Sequence, residues 1–394
     1  MSEAVPPRFS YLLMCYTYPP VLGGSEVEAQ RVSAELQKRG HRVKVICRGG
    51  APMPEATDWV DPFGISVRLY GGRWNEPFRS VVYALGVAWT LYRERRNYQI
   101  AYFLMQGLHL VPGLPMAHLL GKRIVMKFSG SSLVRQMADS FAGRVEIRFL
   151  RQWAARILVL NPGMTEEARE VGFDLARVGW MPNPVETEEF RPATRKQRVE
   201  IRRELGLEPD MPVVVFTGRL APEKKLHWLV GAFALVVRAH PRAKLALVGD
   251  GSLRAEIGEL VRRLDLEDHV IFTGRLGADG VLKWLQAGDV FALVSEIEGL
   301  PCSLIEAMAT GMASVVSDIA ANVQLIDHEV HGLLTELGNE QAIADGLLRV
   351  LDDEALRIRL GENARRRTME QYSTQRVIDC YETLFGSLLD LPVT

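Results

Sequence analysis

Apolar positions along this chain keep two alternating rhythms. Short runs such as FSYLLMCY, RVKVIC, IAYFLM, RIVMKFS and ARILVLN are rich in β-branched and aromatic residues and predict strands. Between them lie stretches with helical spacing. GGSEVEAQRVSAELQKRGH is one, with Ser25 and Glu28 at capping-box spacing and Gly40 as a stop. The rhythm restarts after residue 210. MPVVVFTG, AKLALVGD, HVIFTG, DVFALVS and ASVVSD predict strands, separated by helices within KLHWLVGAFALVVRAH, SLRAEIGELVRRLDL, VLKWLQAG and SLIEAMATG. Such alternation predicts α/β architecture: parallel strands joined by crossover helices, wound on both faces of a sheet.

The stretch 181–192, MPNPVETEEFRP, interrupts the pattern with three prolines and three acids and predicts an exposed connection. The expected organisation is therefore an N-terminal Rossmann-like domain over 1–190 and a second over 191–370. The chain from Glu340 onward reads as helical, and 371–394 is expected to pack back on the first domain. In such sheets ligands sit beyond the carboxyl ends of the strands, and in a two-domain version they occupy the cleft that the domains face.

Composition adds little to this picture: 394 residues, 47% hydrophobic and 24% charged, describe a folded chain of two ordinary domains. The net charge of −1 excludes the basic excess of a nucleic-acid binder. Residues 1–190 carry +5 and the remainder −6, so an anionic partner or membrane surface would meet the first half. Four scattered cysteines with no CxxC pair fit a reduced cytoplasmic compartment. MSEAVPPRFS lacks the pattern of a signal peptide. Val81–Leu91 is too short to span a bilayer. With YRERR after it, the segment either lies on a membrane surface, at the inner face, or packs on its own sheet.

Four stretches carry candidate chemistry. TGRLAPEKK places Arg219 and Lys224 just past a strand, where a fork-shaped and a point cation suit a diphosphate or stand as solvated charges. VGDGSLRAEI has Arg254 where a dinucleotide fingerprint needs its third glycine, so a tight turn explains it equally well. Gly23 and Gly24 precede the first helix, either to admit an anion to its positive end or to make a turn. In SEIEGLPCSLIEAMATG, Ser303 and Glu306 have capping-box spacing, which leaves Glu298 without an account. A loop carboxylate at the ligand end of a strand suits sugar hydroxyls, and the helix start over Cys302–Leu304 suits a phosphate.

EGLPCSLIEAMATG resembles the E-x7-E motif of the retaining GT-B glycosyltransferases of family GT4, the group 1 glycosyl transferases. GRLAPEKK resembles their G-R-x4-K element, and Gly23-Gly24 their N-terminal glycine loop. RGHRVKV, NPVETEEFRP and VGDGSLRAEI…VIFTGRL keep the family's order, and the likeness covers nearly the whole chain. It implies a GT-B fold and a nucleotide-sugar donor. Arg219 and Lys224 would hold the diphosphate, Glu306 the ribose and Glu298 the donor sugar. The backbone of Gly299, Leu300, Pro301, Cys302, Ser303 and Leu304 would meet the phosphates, and Gly274, Arg275 and Leu276 the base. Gly23 and Gly24 would approach from the other domain.

No D-x-D pair occurs in the sequence, so no metal or other cofactor is expected, and the two cations would take the metal's part. Many relatives have His-Gly where this chain has Ser129-Gly130. Lys225 stands where Gly is common, and Ala320-Ala321 where a Gly pair often stands. The acceptor, a glycan, lipid-linked or small molecule, is expected on the first domain near Ser129, Gly130 and His109. The excess of cations over 122–156 (Lys122, Arg123, Lys127, Arg135, Arg144, Arg148, Arg151, Arg156) offers an anionic acceptor a surface or is a solvated helix side. A GT-B phosphorylase, a nucleotide-sugar epimerase and an inactive sugar-nucleotide-binding module are the alternatives. A hydrolase fits poorly, because its two carboxyls would have to flank a sugar.

Overall fold

The computed structural model describes residues 8–20, 23–49, 57–72 and 75–391. The terminal heptapeptide, Val21 and Leu22 of the glycine segment, and the last three residues of the C-terminal segment lie outside these. The chain divides into two compact units, 1–184 with 374–394, and 185–373.

The first unit contains β1 Ser10–Cys15, β2 Arg42–Arg48, β3 Asp58–Val60, β4 Ser66–Tyr70, β5 Ile100–Leu104, β6 Arg123–Lys127, β7 Ala154–Val159 and β8 Val178–Trp180. They form one sheet in the order β3-β4-β2-β1-β5-β6-β7-β8, parallel except for the edge strand β3. Strand order reverses beside β1, with β2 on one side and β5 on the other. The second unit contains β9 Val213–Thr217, β10 Lys244–Val248, β11 Val270–Gly274, β12 Val290–Leu293, β13 Ala313–Ser317 and β14 Leu333–Thr335. Their order is β11-β10-β9-β12-β13-β14, and every pairing is parallel. Here the reversal falls between β9 and β12. Strands such as β9 and β13 are buried at every position, as expected where helices cover both faces of a sheet.

Three expectations need correction. The stretch 181–192 is not simply exposed: Met181, Asn183, Val185 and Phe190 are buried, and Val185 N–H donates to the Tyr372 carbonyl at 2.8 Å. Its prolines remove donors that a buried connection could not satisfy. The helix Gly24–Lys38 starts one residue before Ser25, is capped by Gly23, and has no side-chain cap. Glu28 is drawn instead into the core, where it pairs with Lys127; both side chains are buried. Lys127 is therefore not part of a cationic surface. Its ammonium also donates to Asn183 Oδ1 at 3.2 Å and Tyr381 Oη at 3.3 Å.

The final helix, Thr374–Leu388, belongs to the first unit. Its Val377, Ile378, Tyr381 and Phe385 join Phe9, Tyr11, Leu13 and Tyr102 in one core. Phe385 sits edge-on to Phe9 and Tyr11 at 5.3 and 5.5 Å. Arg39 and His41 then fix the helix exterior through Glu382, with Arg39 reaching Asp379 at 2.7 Å.

Candidate functional site

In an open parallel sheet, the point where strand order reverses leaves a crevice between two strand-end loops that run to opposite faces. In the second unit the loops at that point are 218–225, after β9, and 294–301, after β12. These are the stretches that hold Arg219, Lys224 and Glu298. Two ion pairs lace them together: Lys224 to Glu298 Oε1 at 2.5 Å and Lys225 to Glu296 Oε2 at 2.9 Å. Glu296 N–H also donates to the Glu223 carbonyl at 2.9 Å. The Lys224 and Glu298 side chains keep only 12% and 10% of their exposure, so their pairing is largely withdrawn from water and less screened than a surface pair.

Lys225 takes φ +48°, a left-handed conformation that favours glycine. That geometry explains why glycine is common there, and the salt bridge to Glu296 is what this chain's lysine adds. Arg219 differs from Lys224. Its side chain is 72% exposed and engages Glu223 Oε1 at 2.8 Å, a contact of little strength in water.

The glycines of VGDG have a definite task. Gly249 adopts φ +147°, and a Cβ there would lie 1.8 Å from the Gly218 carbonyl oxygen; one on Gly251 would lie 2.4 Å from that of Leu220. Hydrogen bonds Gly218 N to Val248 O and Leu220 N to Asp250 O, both 3.0 Å, hold the loops at this separation. Glycine is required so that the β10 loop can brace the Arg219 loop. Gly274, at φ +70°, bridges to Gly249 and brings the β11 loop, with the exposed Arg275 and half-buried Leu276, into the same row.

The helix after the crevice spans Cys302–Ala309 with Pro301 as its N-cap and no side-chain cap. The expected Ser303–Glu306 capping box is thus absent, because the helix begins one residue before Ser303. Gly299 and Ser303 are half-buried, Leu300, Pro301 and Leu304 are buried, and Glu306 is half-buried one turn into the helix. Two residues that the sequence did not single out lie at this crevice. Thr217 ends β9 and Ser295 follows β12; both hydroxyls are buried without a hydrogen-bond partner among the described residues. A buried hydroxyl inside a strand pattern carries no sequence signal of its own, which is why they were missed.

In the first unit, reversal beside β1 brings Tyr16–Pro20, Gly23 and Gly24, and Met105–His109 to the corresponding place. Gly23 is extended and lacks a Cβ where the Glu26 carboxylate approaches to 2.3 Å of that position. Glu26 in turn accepts from the Thr17 hydroxyl. The room beside Gly23 is therefore partly taken by an acid, while Gly24 is exposed. His109 lies inside the unit rather than on a rim. It is fully buried between Tyr83 and Phe103, both ring nitrogens lack partners among the described residues, and burial pushes its pKa down to about 3. Ser129 and Gly130 are half-buried on the loop after β6. Of the other cations expected on a surface over 122–156, Lys122 is spent on the carbonyls of Arg95 and Tyr98, and Arg135 on Glu170. Arg144, Arg148 and Arg151 stay exposed.

Known proteins align with this arrangement in both units. The profile of "Glycosyl transferases group 1" matches residues 197–367, and that of "Glycosyltransferase Family 4" matches 22–189. The chain belongs to the family 4, group 1 glycosyltransferases. The N-acetyl-alpha-D-glucosaminyl L-malate synthase of Bacillus anthracis is 26% identical over 96% of each chain. The alpha-D-kanosaminyltransferase of Streptomyces kanamyceticus is 26% identical over 85% of this chain and 86% of its own length. Among solved structures, Anabaena HepE in complex with UDP-glucose superposes with a TM-score of 0.80 at 19% identity, covering 96% of this chain and all of its own. Sucrose-phosphate synthase from Thermosynechococcus elongatus gives 0.82 at 20%, covering 97% of this chain and all of its own. The fold is that of GT-B glycosyltransferases, two parallel-sheet domains.

Proposed function

We propose that this chain transfers a hexose or N-acetylhexosamine from a nucleotide sugar, a UDP or GDP sugar first, to a glycan, lipid-linked or small-molecule acceptor. Transfer retains the anomeric configuration and uses no metal. The observation that carries this reading is the Lys224–Glu298 pair at the strand-order reversal of the second unit, with Arg219 beside it.

Cleaving the anomeric C–O bond leaves a positive sugar and a diphosphate with added negative charge. Lys224 and Arg219 sit on the loop where that charge would develop, and Lys224, fixed by Glu298 and largely withdrawn from water, stabilises such charge better than water does. The start of the Cys302–Ala309 helix offers N–H groups to the same phosphates. Glu298, held in place by Lys224, accepts from donor-sugar hydroxyls. Glu306, one turn into that helix, accepts from the ribose. The incoming hydroxyl bonds to the anomeric carbon on the face the phosphate leaves, and its proton passes to the departing phosphate oxygen. HepE is described in complex with UDP and UDP-glucose, and the malate synthase by the N-acetylglucosaminyl group it transfers, which supports starting with UDP sugars.

Incubation of the chain with each UDP, GDP and ADP sugar, with and without chelator, tests the proposal. Chelator-insensitive release of nucleoside diphosphate, with an α-linked product from an α-linked donor, is the expected result. Turnover that stops with chelator, or an inverted product, would refute the corresponding part.

A further inference from the structure

The helix Phe78–Arg93 carries apolar residues on its outer as well as its inner side, yet its own unit covers only the inner one. Tyr83, Ala84, Val87, Thr90 and Leu91 are buried against the sheet and the neighbouring helix Leu110–Leu119. The opposite side shows Val81 (43% exposed), Leu85 (62%), Trp89 (57%) and Tyr92 (44%). Their spacing of four, four and three residues keeps them on one stripe of about three turns. Single exposed apolar residues are ordinary, but a continuous stripe marks an interaction surface.

The chemistry around the stripe selects the partner. Arg93 and Arg96 are exposed at its carboxyl end, while Glu94 between them is engaged by Lys44 at 3.0 Å. The Arg95 guanidinium lies over the Tyr92 ring at 4.5 Å, so a cation and an aromatic edge are presented together. The layer continues sideways: Leu110–Leu119 packs on the helix Phe141–Trp153, which exposes Arg144 and Arg148. Apolar insertion with Trp and Tyr at the boundary and arginines beside it suits a headgroup layer of negative charge.

We infer that the outer side of Phe78–Arg93 docks this chain on an anionic lipid surface, with Leu85, Trp89 and Tyr92 inserted and Arg93 and Arg96 on the headgroups. Among the described residues no helix is long and apolar enough to cross a membrane, so the contact is peripheral. The inference stands apart from the donor assignment, because its test reads lipid binding and not transfer.

Flotation of the full chain with phosphatidylcholine vesicles, and with equimolar phosphatidylcholine and phosphatidylglycerol vesicles, tests it. Binding is expected only to the second, weakening as salt is raised. Leu85→Ser with Trp89→Ser should weaken partitioning about tenfold or more. Arg93→Ser with Arg96→Ser should weaken it about fivefold per cation at low salt. Both sites are exposed, and unchanged thermal melts would show that the variants fold. Absence of binding to anionic vesicles, or binding that neither variant weakens, would overturn the inference. So would a dimer in sedimentation that the Leu85/Trp89 variant splits while no vesicle binding occurs, since a second copy would then cover this side.

Discussion

The two strand-order reversals of this molecule share a topology and differ in chemistry. At β9/β12 the loops carry opposite charges that find each other: Lys224 with Glu298, Lys225 with Glu296. At β1/β5 the corresponding loops carry glycines, a buried neutral His109 and a carboxylate, Glu26, tucked beside Gly23. The first unit places its charge pair deeper, as Glu28–Lys127 in the core, where it holds the final helix through Tyr381 rather than facing a ligand. One architecture thus puts a withdrawn ion pair to different uses, at a crevice in one unit and as an internal brace in the other.

Four substitutions break or sharpen that contrast. The brace has the largest expected effect. Lys127→Met leaves Glu28 buried without its cation and should cost about 3–5 kcal/mol in urea unfolding, while Glu28→Met with Lys127→Met should recover most of it. A Lys127→Met protein of undiminished stability would end the distinction between the two pairs. Next, Lys224→Ala should lower kcat/KM about 10²–10³-fold, as for loss of one preorganised donor, with the acceptor KM unchanged. An effect confined to the acceptor KM would move the site away from the second unit.

The third tests burial in the first unit by pH. Desolvation raises Glu146 to about 7, so the folded chain holds a proton there that the unfolded chain releases near 4. Stability from this group is lost as pH rises across that window and levels off above it. Glu146→Gln should therefore stabilise the protein by about 2 kcal/mol at about pH 8 and by little at about pH 4, read from paired melts. A gain that is the same at both pH values would place the carboxyl in water. The smallest effect belongs to Ser129→Ala. It should raise the acceptor KM about twofold to fivefold, as for one hydrogen bond, and leave donor affinity intact.

Much of this was legible in the sequence, for reasons that can be named. The strands of the second unit are continuous apolar runs closed by glycine or acid, and every pairing there is parallel, so alternation alone fixed the fold class. Short strands were missed: SVRLY, VGW and LLT carry too few apolar positions to show a period, and DWV lies antiparallel at an edge. Both capping boxes were misread for one reason. S-x-x-E describes a cap only if the helix begins at the serine, and at Ser25 and Ser303 it begins one residue earlier. Lys127 looked like one more cation in a basic stretch, since its partner Glu28 is 99 residues away in sequence. Glu298 was noticed because local structure gave it no role, and its partner is likewise distant, 74 residues before it.

The central claim is that the crevice after β9 and β12 holds a nucleotide sugar. Calorimetric titration of the intact chain and of Glu306→Ala with UDP, GDP and ADP sugars tests it most directly. The account predicts that at least one binds the intact chain and binds the variant about tenfold or more weakly, as for loss of a charged hydrogen-bond acceptor. No binding by any of them, or equal affinity for both proteins, would contradict it.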